Sequence, residues 1–168
     1  MPYNTLMPVF QKDVLGVGPE GLGMLMAAPG VGAVLATFLL AALAKQLHHR
    51  GLILLGSLIL LGVFLFTFSQ ANSLLLAMLA LAGVGCFQMC FMSLAMTMLQ
   101  MLVPDELRGR VLSIYFLDRG LMPAGALLAG VITSFVGAPT TVAMMGLAVI
   151  LLAILALWAV PQIRHAEI

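Results

Sequence analysis

The side chains that could carry chemistry in this sequence are concentrated in one segment, PDELRGRVLSIYFLDRG, which runs from Pro104 to Gly120. Its first seven residues include two acids and two arginines, although charged residues make up only 8% of the chain. A second pair, Asp118 and Arg119, lies about eight residues further on, which is about 12 Å along a helix. We therefore expect the first group at a cytoplasmic hinge and the second pair inside a membrane.

The Asp118–Arg119 pair is a candidate functional feature because of its predicted depth. A charge at the centre of a spanning helix costs ~2.5–3.5 kcal/mol on insertion scales, so such residues usually pair or face water. Neighbours in sequence point about 100° apart on a helix, so each residue can have a partner of its own. One interpretation is structural: Arg119 extends towards the cytoplasm and Asp118 neutralises it.

The other reactive side chains do not match a known catalytic or metal site. Cys86 and Cys90 are one helical turn apart in an apolar run, where we interpret them as packing residues. Met89, Met92 and Met96 could ligate a soft metal, but methionine at helical spacing favours adaptable packing. Because the sequence has no nucleotide-binding loop, catalytic triad or carboxylate dyad, we expect no enzyme activity, no catalytic residues, no cofactor and no metal.

Composition indicates what surrounds these side chains. Hydrophobic residues make up 63% of the 168 residues, whereas soluble domains contain roughly 45–50% apolar and ~25% charged residues. We predict an all-α fold, a polytopic transmembrane helix bundle in a lipid bilayer. The net charge of +1 gives no reason to expect a nucleic-acid partner.

Five apolar runs are long enough to cross a bilayer core of about 30 Å, which takes about 20 helical residues. We predict complete spans at about residues 20–44, 52–69, 73–103, 111–136 and 140–160. Residues 1–10 are too short to span, so we interpret them as the end of a truncated sixth helix. Residues 1–168 then form one partial transmembrane domain.

The first span carries the small residues Gly23, Ala28, Gly32 and Ala36. Small residues recurring at helical spacing allow the backbones of two helices to approach closely in lipid. We therefore expect this span to pack tightly against a neighbour.

The third span has a weakly polar stripe. Four residues fall at i, i+4, i+7 and i+11, which places them on one helical face: Cys86, Cys90, Ser93 and Thr97. Gln88 points roughly the other way. This span is therefore less hydrophobic than its neighbours.

The placement of lysine and arginine predicts the orientation of the bundle. The loops after spans one and three, together with the tail, contain five of them: Lys45, Arg50, Arg108, Arg110 and Arg164. The alternate loops contain only Lys12. By the positive-inside rule, the first group and the C-terminus are cytoplasmic.

The segments PDELRGRVLSIY (Pro104–Tyr115) and GLMPAG (Gly120–Gly125) resemble the loop and helix that link the tenth and eleventh spans of major facilitator superfamily transporters. Residues 2–23 resemble the end of the seventh helix and the start of the eighth, and residues 41–51 resemble the second copy of the superfamily's inter-helix signature. The resemblance covers the entire chain, which would be the end of helix 7 to helix 12. Within the superfamily, the chain resembles bacterial exporters of the enterobactin-exporter type.

The resemblance implies a gating role for Arg108, Gly109 and Arg110, because the corresponding loop helps to hold the two transporter halves in one conformation. The alternative from the residues themselves is that both arginines anchor the loop at the membrane surface and pair with Asp105 and Glu106 or with lipid phosphates. The two acids follow a proline and suit the first turn of a helix, where negative charge meets the positive end of the helix dipole.

The resemblance also implies that the third span lines a substrate cavity, since the tenth helix does so in that fold. Its candidate lining residues are Gln88, Cys90, Ser93 and Thr97.

For the buried charges, the functional alternative is that Asp118 takes part in proton coupling or contacts the missing N-terminal half.

The function implied is secondary active transport in the bacterial inner membrane, with export of small amphipathic molecules by alternating access. The expected partners are the lipid bilayer, a small-molecule substrate and the missing N-terminal half of the transporter. Two other interpretations stay open: a structural or regulatory membrane fragment that does not transport, and one half of a transporter assembled from separately encoded halves.

Overall fold

The structure is a computed structural model, and it describes residues 3–43 and 50–159, which form helices joined by short turns. Its elements are α1 (Tyr3–Val9), a π-helical turn (Phe10–Val14), α2 (Pro19–Leu43), α3 (Arg50–Ser69), α4 (Leu74–Leu102), α5 (Asp105–Val136) and α6 (Ala138–Ala159). The described ranges contain no strand. The predicted all-α class is therefore confirmed.

Helices α2 to α6 are each long and apolar enough to cross a membrane, which confirms the predicted polytopic bundle. The two longest are α4, with 29 residues, and α5, with 32. At 1.5 Å per residue they extend about 43 Å and 48 Å, so both reach beyond a hydrocarbon core of about 30 Å. The ends of these two helices must therefore lie in the headgroup region or in water.

The link between α4 and α5 is shorter than the sequence suggests. α4 ends at Leu102 and α5 begins at Asp105, so Arg108, Gly109 and Arg110 lie in the first turns of a helix and not in a loop. Pro104 precedes the helix with φ −56°, a backbone angle that suits helix initiation. The two acids of the first turn also favour a helix there.

Helix α1 inserts into the bundle. Tyr3, Leu6, Met7 and Phe10 are each at most 3% exposed. The ring of Phe10 stacks on Phe68 of α3, with ring centroids 4.5 Å apart. Because aromatic stacking adds to the energy of burial, this short segment is fixed to the core despite its length.

The long helices form a chain of contacts. α4 packs along both α2 and α3, and α3 also packs along α6. α5 mainly touches α6 and α1, and Ala129 is the only residue of its described part that is fully buried. Helix α5 is therefore the least enclosed helix of the bundle.

Glycine allows the closest helix crossing, between α2 and α4. A Cβ atom added to Gly32 would overlap the carbonyl oxygen of Ala82 and lie 2.9 Å from the backbone nitrogen of Cys86. A Cβ atom on Gly85 would lie 2.6 Å from the Cα atom of Pro29. Since lipid supplies no hydrophobic drive between helices, such backbone contact is a main source of their association.

The small residues of α2 do not all pack against a neighbour. Ala36 is fully buried and Ala28 is 5% exposed, which agrees with the expected packing stripe. Gly23, in contrast, is exposed, and a Cβ atom added to it would have no other atom within 4 Å. The packing stripe of α2 therefore begins after Gly23.

A second glycine crossing joins α3 to α6. A Cβ atom on Gly62 would lie 2.7 Å from the carbonyl oxygen of Gly146, and one on Gly146 would lie 2.8 Å from that of Gly62. α6 follows α5 directly, because Gly137, at φ +84°, turns the chain between them.

The positively charged residues Lys45 and Arg164, used above to predict orientation, lie outside the described residues.

Candidate functional site

Two adjoining cavities lie along α4. The first, cavity A, has a volume of about 350 Å³ and lies between α1, α2 and α4. Its walls are formed by Tyr3, Asn4, Met7, Met26, Pro29, Gly30, Ala33, Gly85, Gln88, Met89 and Met92. The wall on the side of α2 and α4 includes the tight crossing of Pro29 and Gly85, so part of it consists of backbone atoms.

The second cavity, cavity B, lies between α4 and α5 and has a volume of about 480 Å³. Its walls are formed by Met89, Met92, Ser93, Met96, Thr97, Tyr115 and Phe116. Met89 and Met92 therefore line both cavities. A molecule that contacts these two methionines can extend into either space.

The structure separates the four predicted lining residues of α4. Gln88 lines cavity A, whereas Ser93 and Thr97 line cavity B. Cys90 lines neither and is half-buried. This difference follows from the crossing of α2 and α4. The backbone of Cys86 touches α2 near Gly32, so the end of the polar stripe that contains the cysteines packs against a helix and not against a cavity.

The lining also includes residues that the sequence did not single out. Tyr3 and Asn4 come from α1, Met26 from α2, and Tyr115 and Phe116 from α5. Adjacent tyrosine and asparagine in a short apolar segment were a detectable signal, because polar side chains in lipid usually have a role. Which helices face α4, however, depends on tertiary packing that spacing alone does not give.

The polar groups of the lining differ in their hydrogen-bonding state. The hydroxyl of Thr97 donates to the carbonyl oxygen of Ser93 at 2.8 Å. Its oxygen lone pairs stay free to accept. No hydrogen bond joins the Gln88 amide to another residue of the ranges 3–43 and 50–159. The lining thus offers an acceptor at Thr97 and both donor and acceptor at Gln88.

Charge is absent from the described lining of both cavities. The walls named above contain amide, hydroxyl, phenol and thioether groups but no Asp, Glu, Lys or Arg. The pair Asp118 and Arg119 follows Tyr115 by three and four residues along α5. The backbone there is helical, and the side chains of both residues lie outside the described part of the structure.

Arg108 ties the end of α4 to the start of α5. Its Nη2 atom donates to the carbonyl oxygen of Gln100 at 3.0 Å and lies 2.7 Å from Oδ1 of Asp105. The side chain of Asp105 is 87% exposed and that of Arg108 is 42% exposed. An ion pair this open to water contributes about 0–1 kcal/mol, and the cation also meets the negative end of the α4 dipole.

The other two residues of the predicted gate have open surroundings. Gly109 is exposed, and a Cβ atom added to it would meet no other atom within 4 Å, so close packing does not require glycine there. Arg110 is exposed as well. Of the three candidates, Arg108 therefore makes the clearest connection between two helices.

Comparison with known proteins gives the family. The Staphyloferrin A transporter of Staphylococcus aureus (strain NCTC 8325 / PS 47) is 28% identical to this chain over 152 residues, which cover 88% of the chain. The match spans only 37% of the length of that relative. No solved structure matches the chain. The sequence profile of the Major Facilitator Superfamily matches residues 1–167. The chain belongs to the Major Facilitator Superfamily.

Proposed function

We propose that this chain is part of a secondary active transporter that exports small amphipathic molecules by alternating access. The observation that carries the proposal is the pair of adjoining cavities along α4, in which apolar thioethers lie between polar groups. Substrate sites of such transporters lie within the bundle at the interface of its repeats. The similarity to the Staphyloferrin A transporter supports transport as the activity.

The open side of the bundle supports a proposal about its partner. Ile114, Leu117 and Leu121 follow one another at helical spacing on α5, and each is more than 60% exposed. We propose that the N-terminal half of the transporter covers α5 and completes the walls of cavities A and B. The protein would reside in the bacterial inner membrane, as a multi-pass protein with its C-terminus in the cytoplasm.

We propose further that the protein is not an enzyme. The lining of both cavities consists of amides, hydroxyls, a phenol on each side and thioethers. Amides, hydroxyls, phenols and thioethers can all bind and orient a molecule through hydrogen bonds and apolar contact. The chemistry of the lining therefore supports binding and release of an unchanged substrate.

Transport can be tested in everted membrane vesicles from bacteria that produce the complete reading frame containing this chain. An exporter should take up radiolabelled N-phenyl-1-naphthylamine when a proton gradient is applied, and uptake should stop when the gradient is collapsed. Uptake only in right-side-out vesicles would reverse the proposed direction. Met89→Ala should lower uptake severalfold because Met89 lines both cavities. Met144→Ala on the exposed side of α6 is the matched control.

The same assay separates the alternatives. No uptake in either orientation, with the protein present in the membrane, would favour a fragment that does not transport. Uptake that requires a separately encoded set of N-terminal helices would favour a split transporter. Gradient-driven uptake by the single reading frame would exclude both.

A further inference from the structure

We propose that Tyr3 determines which polar molecules cavity A accepts, because its hydroxyl donates a hydrogen bond to an oxygen atom of the substrate, in a carbonyl or carboxylate group. The amides of Asn4 and Gln88 line the same cavity and can bind the remaining polar atoms of that substrate. This role belongs to the proposed transport site and therefore rests on the proposed function.

The side chain of Tyr3 is buried, yet its hydroxyl has no partner within the described protein. Tyr3 is 3% exposed, and no hydrogen bond joins its side chain to another residue of the ranges 3–43 and 50–159. In those ranges, the only fully enclosed polar side-chain atom without a partner is Nε of Arg108. The Tyr3 hydroxyl therefore keeps contact with open space, and the cavity that Tyr3 lines is cavity A.

The chemistry of a phenol defines the ligand atom that fits there. An unpaired polar group in a protein interior is unfavourable, so nearly all such groups have a partner in protein, water or ligand. A phenol hydroxyl is a better donor than acceptor, because the ring withdraws electron density from its oxygen. The complementary atom of the substrate is therefore an acceptor, such as the oxygen of a carbonyl or carboxylate group.

The position of the Tyr3 ring is fixed by the following turns of α1. Leu6 and Met7 are buried one turn further along. The ring of Phe10 then stacks on Phe68, with ring centroids 4.5 Å apart. A donor that is already held in place loses little freedom when it binds a ligand, and a tyrosine ring has only two side-chain torsions to fix. The hydroxyl of Tyr3 is therefore a preorganised donor.

Asn4 and Gln88 add two amide groups to the wall of cavity A, one from α1 and one from α4. Asn4 is exposed and Gln88 is half-buried, and neither amide has a hydrogen bond to another described residue. Each amide can both donate and accept. Tyr3 thus sets the requirement for an acceptor oxygen, whereas the two amides tolerate different polar groups beside that oxygen.

The test compares three naphthalene derivatives of similar size. Naphthalene-1-carboxamide carries a neutral acceptor, 1-naphthoate carries an anionic acceptor, and 1-ethylnaphthalene carries none. The protein encoded by the complete reading frame is placed in lipid nanodiscs with ¹³C-methyl methionine, and the methyl signals are followed by NMR. Of the two cavities, Met7 lines only A and Met96 lines only B. Met144, on the exposed side of α6, reports partition into lipid.

The carboxamide should shift the Met7 signal in a saturable way, at concentrations that leave Met144 unchanged. Tyr3→Phe removes only the hydroxyl, so it should weaken the carboxamide about fivefold, the size of one neutral hydrogen bond. The affinity for 1-ethylnaphthalene should stay the same. If 1-naphthoate binds more tightly than the carboxamide and loses more affinity in Tyr3→Phe, the natural acceptor is a carboxylate, and the reverse order indicates a neutral carbonyl.

Thermal unfolding separates this role from a structural one. Because the hydroxyl has no described partner, Tyr3→Phe without ligand should unfold at the wild-type temperature or above it. A hydroxyl that stabilises the fold would instead give a lower midpoint in this variant. Failure of Tyr3→Phe to fold would likewise show a structural hydroxyl and overturn the inference.

Two further results would overturn the inference. One is an equal effect of Tyr3→Phe on the carboxamide and on 1-ethylnaphthalene. The other is a Met7 shift that rises in parallel with that of Met144, which would mean partition into lipid. Tyr3-dependent binding without gradient-driven uptake of the carboxamide or of N-phenyl-1-naphthylamine would contradict the proposed transport while supporting the site. Gradient-driven uptake together with carboxamide binding that does not depend on Tyr3 would do the reverse.

A glutamine variant tests the opposite wall of the cavity. Gln88→Met keeps the length of the side chain and removes the amide, so it should weaken the carboxamide severalfold without changing the affinity for 1-ethylnaphthalene. The matched control is Gln70→Met, because Gln70 is exposed in the turn after α3 and lines neither cavity. Equal carboxamide affinity of Gln88→Met and Gln70→Met would contradict the assignment of the Gln88 amide to this site.

Discussion

Replacing Gly85 by alanine tests whether the crossing of α2 and α4 holds the bundle together. The added methyl group would lie 2.6 Å from the Cα atom of Pro29 and closer still to its carbonyl oxygen. Both partners are backbone, so no side-chain rotation can relieve the overlap, and α2 would have to retreat by about 1 Å or more. Overpacking typically costs 1–3 kcal/mol, and we expect about 3 kcal/mol at this rigid contact.

The assay is thermal unfolding of the purified protein in nanodiscs, compared with a matched glycine. For a chain of this size, about 3 kcal/mol corresponds to a fall of roughly 6–12 °C in midpoint temperature. Gly30→Ala is the control, because Gly30 also lines cavity A, is helical and would have no other atom within 4 Å of an added Cβ atom. Alanine there should raise stability by about 0.5–1 kcal/mol. If the two variants unfold at the same temperature, the crossing is not the stabilising contact that we infer.

Three further predictions concern α5. Arg108→Gln should leave membrane insertion intact and cost at most about 1 kcal/mol of stability, yet it should slow transport if the arginine has a gating role; Arg110→Gln should slow transport for the same reason, and equal vesicle uptake by both variants and wild type would contradict gating. Thr141→Val should cost about 1 kcal/mol in thermal unfolding, because the 1% exposed hydroxyl donates to the carbonyl oxygen of Gly137 at 2.7 Å and lies 3.1 Å from the hydroxyl of Thr133; an unchanged midpoint would contradict a stabilising role of these two contacts. Asp118→Asn should abolish gradient-driven uptake while binding persists, and uptake at the wild-type rate would refute proton coupling through this residue.

The helices of this fold follow from the sequence because each spanning run has at least about the length that a bilayer requires, from 19 residues in α3 to 32 in α5. The span predicted from hydrophobicity starts at residue 111, whereas helix α5 begins at Asp105, at the acids that suit a first helical turn after Pro104. A boundary set by hydrophobicity marks the edge of the membrane, whereas the helix itself continues into water. Capping residues and acids of the first turn are the signals that define its true start.

The partners of the helices could not be predicted in the same way. Gly32 and Ala36 indicated that α2 packs closely, but nothing in the pattern identified Gly85 of α4 as the opposite side of that contact. Likewise, Gly62 and Gly146 face each other across a contact between helices far apart in sequence. Spacing defines a face of one helix, and the pairing of faces depends on the packing of the whole bundle.

The candidate site shows the same limit at the level of one helix. Periodicity places Cys90, Ser93 and Thr97 on one face of α4, yet only the last two line a cavity. The structure shows how the surroundings of this face change along the helix. Near Cys86 the face contacts α2, and further along α4 the same face lines the cavity between α4 and α5. The periodic pattern of one helix does not show at which residue a neighbouring helix moves away from it.

The crossing of Pro29 and Gly85 has an evolutionary consequence, because it is also a wall of cavity A. A wall built from backbone atoms cannot be altered by exchanging side chains without separating the two helices. Drift in substrate preference among descendants of this protein should therefore accumulate at positions such as Met26 and Gln88, where the wall consists of side chains. Pro29 and Gly85 should meanwhile stay invariant, even between descendants whose cargoes differ.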